Sequence, residues 1–282
     1  MKIRNEQDLP QRMRWARGLA VLLAVATLMA NVGCVTTETV PFGGSGLEPV
    51  SEGRAKRDLG IDYLSTRRTA MAIRELSSAM RLEPDDPETH LWLGEAYRRK
   101  GKAEQAETLL EGAIRLAEDQ ERPQVEQAAR LNLSALLSQL GRYEEALVHC
   151  EVLVADPTLS TPWSPLNNCG WALMQLGRLD EAKVSFHEAL DFFPRFGPAL
   201  LNLGILQTKQ GHPLKAIRTL EKALDSGRLN SSGLGEAHYR LGEIYVGLGR
   251  RDKAVVHFEE ATAKAPYAEW SSQSQAYLDL LH

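Results

Sequence analysis

Basic residues are not in excess in this 282-residue chain: 33 Lys and Arg stand against 37 Asp and Glu, a net charge of -4. The electrostatic footprint of a nucleic-acid binder is therefore missing, and no nucleic-acid partner is expected. Also missing are a glycine-rich phosphate loop and a Ser, His and Asp set, so the chain offers no residues for phosphate cradling or acyl transfer. His238 and His257 fall in different segments without metal-ligand spacing and read as packing or surface histidines, so no metal, cofactor or small-molecule substrate is expected. Cysteine is scarce, with three residues in all. The apolar run from Gly18 to Ala30 is too short to cross a bilayer comfortably and fits the core of a signal peptide.

That core follows a basic stretch with Lys2, Arg4, Arg12, Arg14 and Arg17, and it leads into Asn31, Val32, Gly33 and Cys34. Small residues followed by cysteine at this place resemble a bacterial lipobox, although Asn31 stands where the lipobox usually has leucine. Residues 1–33 are accordingly read as a lipoprotein signal peptide and Cys34 as the acylated residue. Several acyl chains on one cysteine would hold the protein on a membrane, since each buried methylene contributes about 0.8 kcal/mol while a single chain binds only marginally. Val35, where inner-membrane lipoproteins carry Asp, points to the outer membrane. Residues 34–52, with Gly43, Gly44, Ser45 and Gly46, read as a flexible tether. Cys150 and Cys169 remain; a disulfide between them is open, and two small buried hydrophobes is the favoured reading.

From residue 53 onward the chain repeats. Gly170, Gly177, Ala182, Phe186, Ala189 and Pro194 mark one complete unit, and Gly204 opens the next unit 34 residues after Gly170. That period is the tetratricopeptide repeat, a pair of antiparallel helices. Six units are assigned at about 53–86, 87–120, 127–160, 163–196, 197–230 and 235–268, followed by a capping helix at 269–282. The expected fold is all-α, a right-handed α-solenoid. Small residues such as Gly94, Ala106 and Ala113 sit where the helices of a unit touch, and Gly101 turns the chain between them. Three irregularities stand out. Arg67 occupies the turn-glycine position of the first unit, Ser134 replaces the first glycine of the third, and Glu118 to Glu126 adds residues, where the second unit's last helix is expected to run on and bend at Pro123.

The first helix of each unit lines the concave face of such a solenoid. Its sixth position holds Asn132, Asn168 and Asn202 in the third to fifth units, Trp92 in the second and Arg240 in the sixth. An asparagine amide both donates and accepts, so a row of them can pair with the backbone of an extended peptide whatever its side chains. Such bonds contribute about 0.5–1.5 kcal/mol each and orient more than they hold. Trp171, Gln175, Gln139 and Lys209 fall at later groove-facing positions, and Arg240 is placed to receive a carboxylate unless Glu236 and Glu243 pair with it. Asn167 reads as a helix-surface residue. Replacing Asn168 and Asn202 by alanine is expected to weaken binding without loss of helicity.

The lipobox, the six repeats, and Asn167-Asn168-Cys169-Gly170 followed by Gly177-Arg178-Leu179-Asp180-Glu181-Ala182 together resemble the pilotin lipoproteins of type IV pili, the pilus biogenesis and stability proteins. The resemblance implies an outer-membrane lipoprotein facing the periplasm that binds secretin subunits and helps them assemble into the pilus exit pore. A general periplasmic repeat lipoprotein that docks cell-wall hydrolases or proteases is the alternative. The repeats and the cap leave no stretch for a catalytic domain, so an enzyme is not expected.

Overall fold

Residues 50–281 are described by the computed structural model, and their regular structure is thirteen α-helices with no strand. The proposed signal peptide, Cys34 and nearly all of the tether lie outside the described residues. The helices are α1 (Glu52–Ser65), α2 (Thr69–Leu82), α3 (Pro87–Arg99), α4 (Ala103–Asp119), α5 (Pro123–Gln139), α6 (Tyr143–Ala155) and α7 (Trp163–Gln175). They continue as α8 (Leu179–Phe192), α9 (Gly197–Lys209), α10 (Pro213–Asp225), α11 (Ser231–Gly247), α12 (Arg251–Lys264) and α13 (Glu269–Leu281). Helix α1 takes in Glu52, the last residue assigned to the tether.

Local chemistry sets where these helices begin and turn. Ser51, Asp86 and Asn230 cap α1, α3 and α11 by accepting from backbone N–H groups of the first turn. Pro87, Pro123 and Pro213 open α3, α5 and α10, where a missing N–H leaves nothing unpaired. Within each pair the turn needs one left-handed residue, supplied by Gly101, Gly141, Gly177, Gly211 and Gly249 at φ between 67° and 77°. Arg67 takes the same conformation at φ 60° in the first pair, where a side chain costs about 1–2 kcal/mol. The inserted residues after α4 differ from the expected bend. Helix α4 ends at Asp119, the chain turns with Glu121 at φ 53°, and Pro123 starts α5, so the third unit begins before residue 127.

Each pair closes on the same contact. The first helix offers Gly60, Gly94, Gly170, Gly204 or Gly242, and the second helix lays Leu76, Leu110, Phe186, Leu220 or Phe258 over it. Ala72, Ala106, Ala146, Ala182, Ala216 and Ala254 fill the rest of the seam, each at most 1% exposed. Every first helix also touches the first helix of the next pair, from α1 through α11 to the cap α13, whereas no two second helices are in contact among the described residues. The first helices therefore form the inner layer, and their free faces line one continuous groove.

The third pair departs from this contact in an instructive way. Ser134 replaces the glycine, and the residue opposite is the smaller Cys150 rather than Leu or Phe. Cys150 instead reaches the next unit, where Cys169 stands at the position held elsewhere by Leu133, Leu203 or Leu241, and the two form a disulfide with Cα atoms 5.6 Å apart. The favoured reading of two free buried hydrophobes is thus corrected. Both residues are buried, at 0% and 5% exposure, but they are joined.

A second pairing invisible in the spacing is that of His238 on α11 and His257 on α12, whose Nδ1 atoms lie 3.1 Å apart. The His257 ring stacks on Tyr245 with centroids 5.4 Å apart. Burial, the neighbouring His238 and then Lys253 push His257 down to about 4, against a smaller opposing pull from Glu260. Burial also lowers His238, with Lys264 adding to the effect and Glu260 opposing it. A depressed folded-state value stabilises the fold above the unfolded value and loses that contribution as pH falls. Stability should hold from pH 8 to about 6.5 and then decline toward pH 4, by on the order of 1–2 kcal/mol after solvent screening. Thermal melts across that range check this, and His257→Phe, which keeps the stacking, should lessen the decline, leaving what the buried His238 and His149 contribute.

Candidate functional site

Two adjoining clefts open on the inner face, sharing Trp171 as their common wall. The first, of about 450 Å³, is lined by Ala135, Ser138, Gln139, Tyr143, Asn167, Asn168, Trp171 and Asn202. The second, of about 380 Å³, is lined by Trp171, Gln175, Ile205, Thr208, Lys209, Arg240 and Glu243. Of the residues singled out by repeat register, Asn168, Trp171, Gln175, Asn202, Lys209 and Arg240 come together here. Asn132 lines neither cleft.

Repeat register places the asparagines, but neighbouring helices decide what they do. Asn168 Nδ2 donates to Ser134 Oγ at 2.9 Å, and that hydroxyl donates to the Leu131 carbonyl at 2.8 Å. Ser134, a departure from the repeat pattern, is thus the anchor of Asn168. Asn202 Nδ2 donates to Asn167 Oδ1, also at 2.9 Å. Asn167 is therefore part of the site and not a plain helix-surface residue. Its position follows from register too, one residue before Asn168 on the same inner face of α7.

The expected row of Asn132, Asn168 and Asn202 is replaced by a cluster of Asn167, Asn168 and Asn202. Three of its six amide groups, Nδ2 of Asn168, Nδ2 of Asn202 and Oδ1 of Asn167, tie α5, α7 and α9 together. Left over among the described residues are Nδ2 of Asn167 and Oδ1 of Asn168 and Asn202, one donor group and two acceptors. Because the amides tie neighbouring helices as well as facing the cleft, alanine at Asn168 and Asn202 would remove those ties along with the cleft groups, while the hydrogen bonds within each helix stay in place.

Arg240 is not free to take a carboxylate. Its guanidinium donates to Glu243 at 3.0 Å and Glu236 at 3.3 Å, and it lies over the rings of Trp270 and Tyr239 at 5.0 and 5.4 Å. Two carboxylates already match its charge, and burial pushes Glu236 above the ordinary carboxylate range in spite of Arg240. Burial and the bond to Glu243 likewise raise the Tyr239 phenol. Lys209, at the exposed end of α9, is left as the cation with no salt bridge among those described. The disulfide sits directly behind this surface, since Cys169 follows Asn168 in α7.

Among the described residues, no group of three or more His, Cys, Asp or Glu is arranged to hold a metal ion, and no helix is long and apolar enough to cross a membrane. What the clefts offer is shape, amides, an indole face and, in the second, Lys209 beside the Arg240–Glu243 pair, which suits recognition of a chain segment.

Family models described as tetratricopeptide repeat match residues 63–125, 127–155, 169–231 and 235–268, together two thirds of the chain. No curated protein matches. Among solved structures the chain is similar to PilW, described as a widely conserved type IV pilus biogenesis factor, with 20% identity and a TM-score of 0.65 over 78% of this chain and 97% of that one. It is similar to Pseudomonas aeruginosa PilF with 18% identity and a TM-score of 0.61, over 80% and 97% of the two chains. The Cut9–Hcn1 hetero-tetramer of the APC/C contains a further likeness, 19% identity and a TM-score of 0.67, over 82% of this chain and 42% of that one. These are likenesses of fold. With six helix pairs, five of them built on one contact, and the repeat models matching along the array, the chain is a tetratricopeptide-repeat protein.

Proposed function

We propose that this protein is a non-enzymatic outer-membrane lipoprotein of type IV pilus biogenesis, held by acyl chains on Cys34 and facing the periplasm. Its groove captures secretin subunits and promotes their delivery to the membrane and their assembly. The observation that carries the reading is the pair of clefts meeting at Trp171, whose amides and indole face suit an extended protein segment. Supporting it are the lipobox-like leader, the fold likeness to PilW and PilF, and the Cys150–Cys169 bridge, which suits an oxidising compartment such as the periplasm. Anchor and groove would act together, because a captured subunit is concentrated at the membrane surface where it must assemble.

The test is to count detergent-resistant secretin multimers in cells whose only copy carries Cys34→Ser or Trp171→Ala. Cys34→Ser should release the protein into the soluble periplasm, and both variants should cut multimers several-fold. Trp171 is preferred to the asparagines because it ties no neighbouring helix by a hydrogen bond. Normal multimer levels in both variants, with the proteins present and folded, would remove the pilotin reading.

A further inference from the structure

The first cleft of the groove is electrically empty, and this bears on what it binds, provided that the groove is a binding site as proposed above. Helix α7 contains no Asp, Glu, Lys or Arg, and α9 has only Lys209, its last residue. None of the residues lining the first cleft is charged at neutral pH. The other inner helices are different, α5 included, where Arg130 pairs with Glu126. On α3, Glu95 is gripped by Arg98 and Arg99 at 2.8 and 2.6 Å, and on α11 Arg240 is held between Glu236 and Glu243. Charge on the inner face thus lies outside the first cleft; the second cleft holds the paired Arg240 and Glu243 and, at its exposed end, Lys209.

A charged side chain pressed against α7 would exchange its water for amide groups, an indole and alkyl carbons, with no counter-charge within the first cleft. That exchange is unfavourable for an ion and nearly neutral for a small polar or apolar group. The leftover Oδ1 acceptors of Asn168 and Asn202 and the Nδ2 donor of Asn167 match peptide N–H and C=O groups, which carry no net charge. We propose that the part of the ligand crossing α7 is an uncharged, extended segment, with an uncharged inward-facing side chain seated in the first cleft beside Trp171. Successive inward-facing side chains of an extended chain are about 6.8 Å apart, a spacing that straddles one indole ring. Charged residues of the ligand lie beyond this stretch, over the flanking inner helices. The selectivity is by exclusion: ions are rejected by the centre, and the backbone is read through it.

Selection of random displayed peptides on the immobilised full chain tests this, with a parallel selection on Trp171→Ala after its melting curve shows a folded protein. Peptides that need Trp171 should have a central stretch depleted of Asp, Glu, Lys and Arg by about tenfold relative to the library. Gln139→Glu, an exposed and nearly isosteric change in the first cleft, should admit Lys or Arg at that stretch. Trp171-dependent peptides rich in charge at their centre would overturn the neutral-segment inference while leaving the groove reading intact. Peptides that bind wild type and Trp171→Ala equally, or no enrichment above the bare support, would overturn both.

Discussion

Replacing Cys150 and Cys169 together by alanine is expected to destabilise the protein by about 3 kcal/mol, the loss typical of opening a covalent loop of this size. The two residues are 19 apart in sequence, and the loop contains the joint between α6 and α7 at residues 156–162. Elsewhere in the array the two corresponding positions hold a buried Leu or Phe and, in the next unit, a buried Leu. Here both packing positions are occupied by sulfur, so removing the bond leaves two small side chains where other units have large ones. Urea unfolding of the double variant, and of wild type with and without reductant, measures the effect. Midpoints that coincide would mean that the bridge contributes nothing. Since Cys169 adjoins Asn168, affinity for a groove peptide should fall in the reduced protein as well, at temperatures well below unfolding.

Phe186→Ala should cost more, about 3–5 kcal/mol, as large-to-small changes of aromatic residues in close-packed cores do. Phe186 is completely buried and lies on Gly170 so tightly that a Cβ there would come within 2.6 Å of the ring. The gap left by the ring would be bounded by the backbone of two antiparallel helices, which cannot collapse into it without shifting α7 and the groove residues it carries. Gly170→Ala, the opposite error at the same contact, should cost about 1–3 kcal/mol by overpacking. Combining the two tests the cause: the added methyl has room once the ring is gone, so the double variant should be more stable than the sum of the single losses predicts. Strict additivity, measured by thermal or urea unfolding, would show that the two residues act separately.

Much of the fold could be read from particular residues. Gly101, Gly141, Gly177, Gly211 and Gly249 mark turns because a left-handed backbone is a local steric demand that glycine meets without strain. The glycines and alanines of each seam mark helix contacts because both partners lie within one period of the chain. The candidate site was legible only in outline. Register brought Asn168, Trp171, Gln175, Asn202, Lys209 and Arg240 to the inner face, and there the outline stopped. It gave no sign that Asn132 lies outside both clefts, that Asn167 receives Asn202, or that Ser134 holds Asn168.

By itself the amino-acid sequence determined the repeating pattern, the helix pairs, the turns and the inner face on which a ligand would lie, since all of these depend on contacts repeated from one unit to the next. Only the tertiary structure decided that Cys150 joins Cys169, that His238 meets His257, that Arg240 is neutralised by its own helix, and that the amides divide between holding the array and facing the groove. Each of these depends on the direction of a side chain at the place where two helices cross. That direction follows from the angle at which helices and units stack, a property of the assembled array that no single repeat encodes.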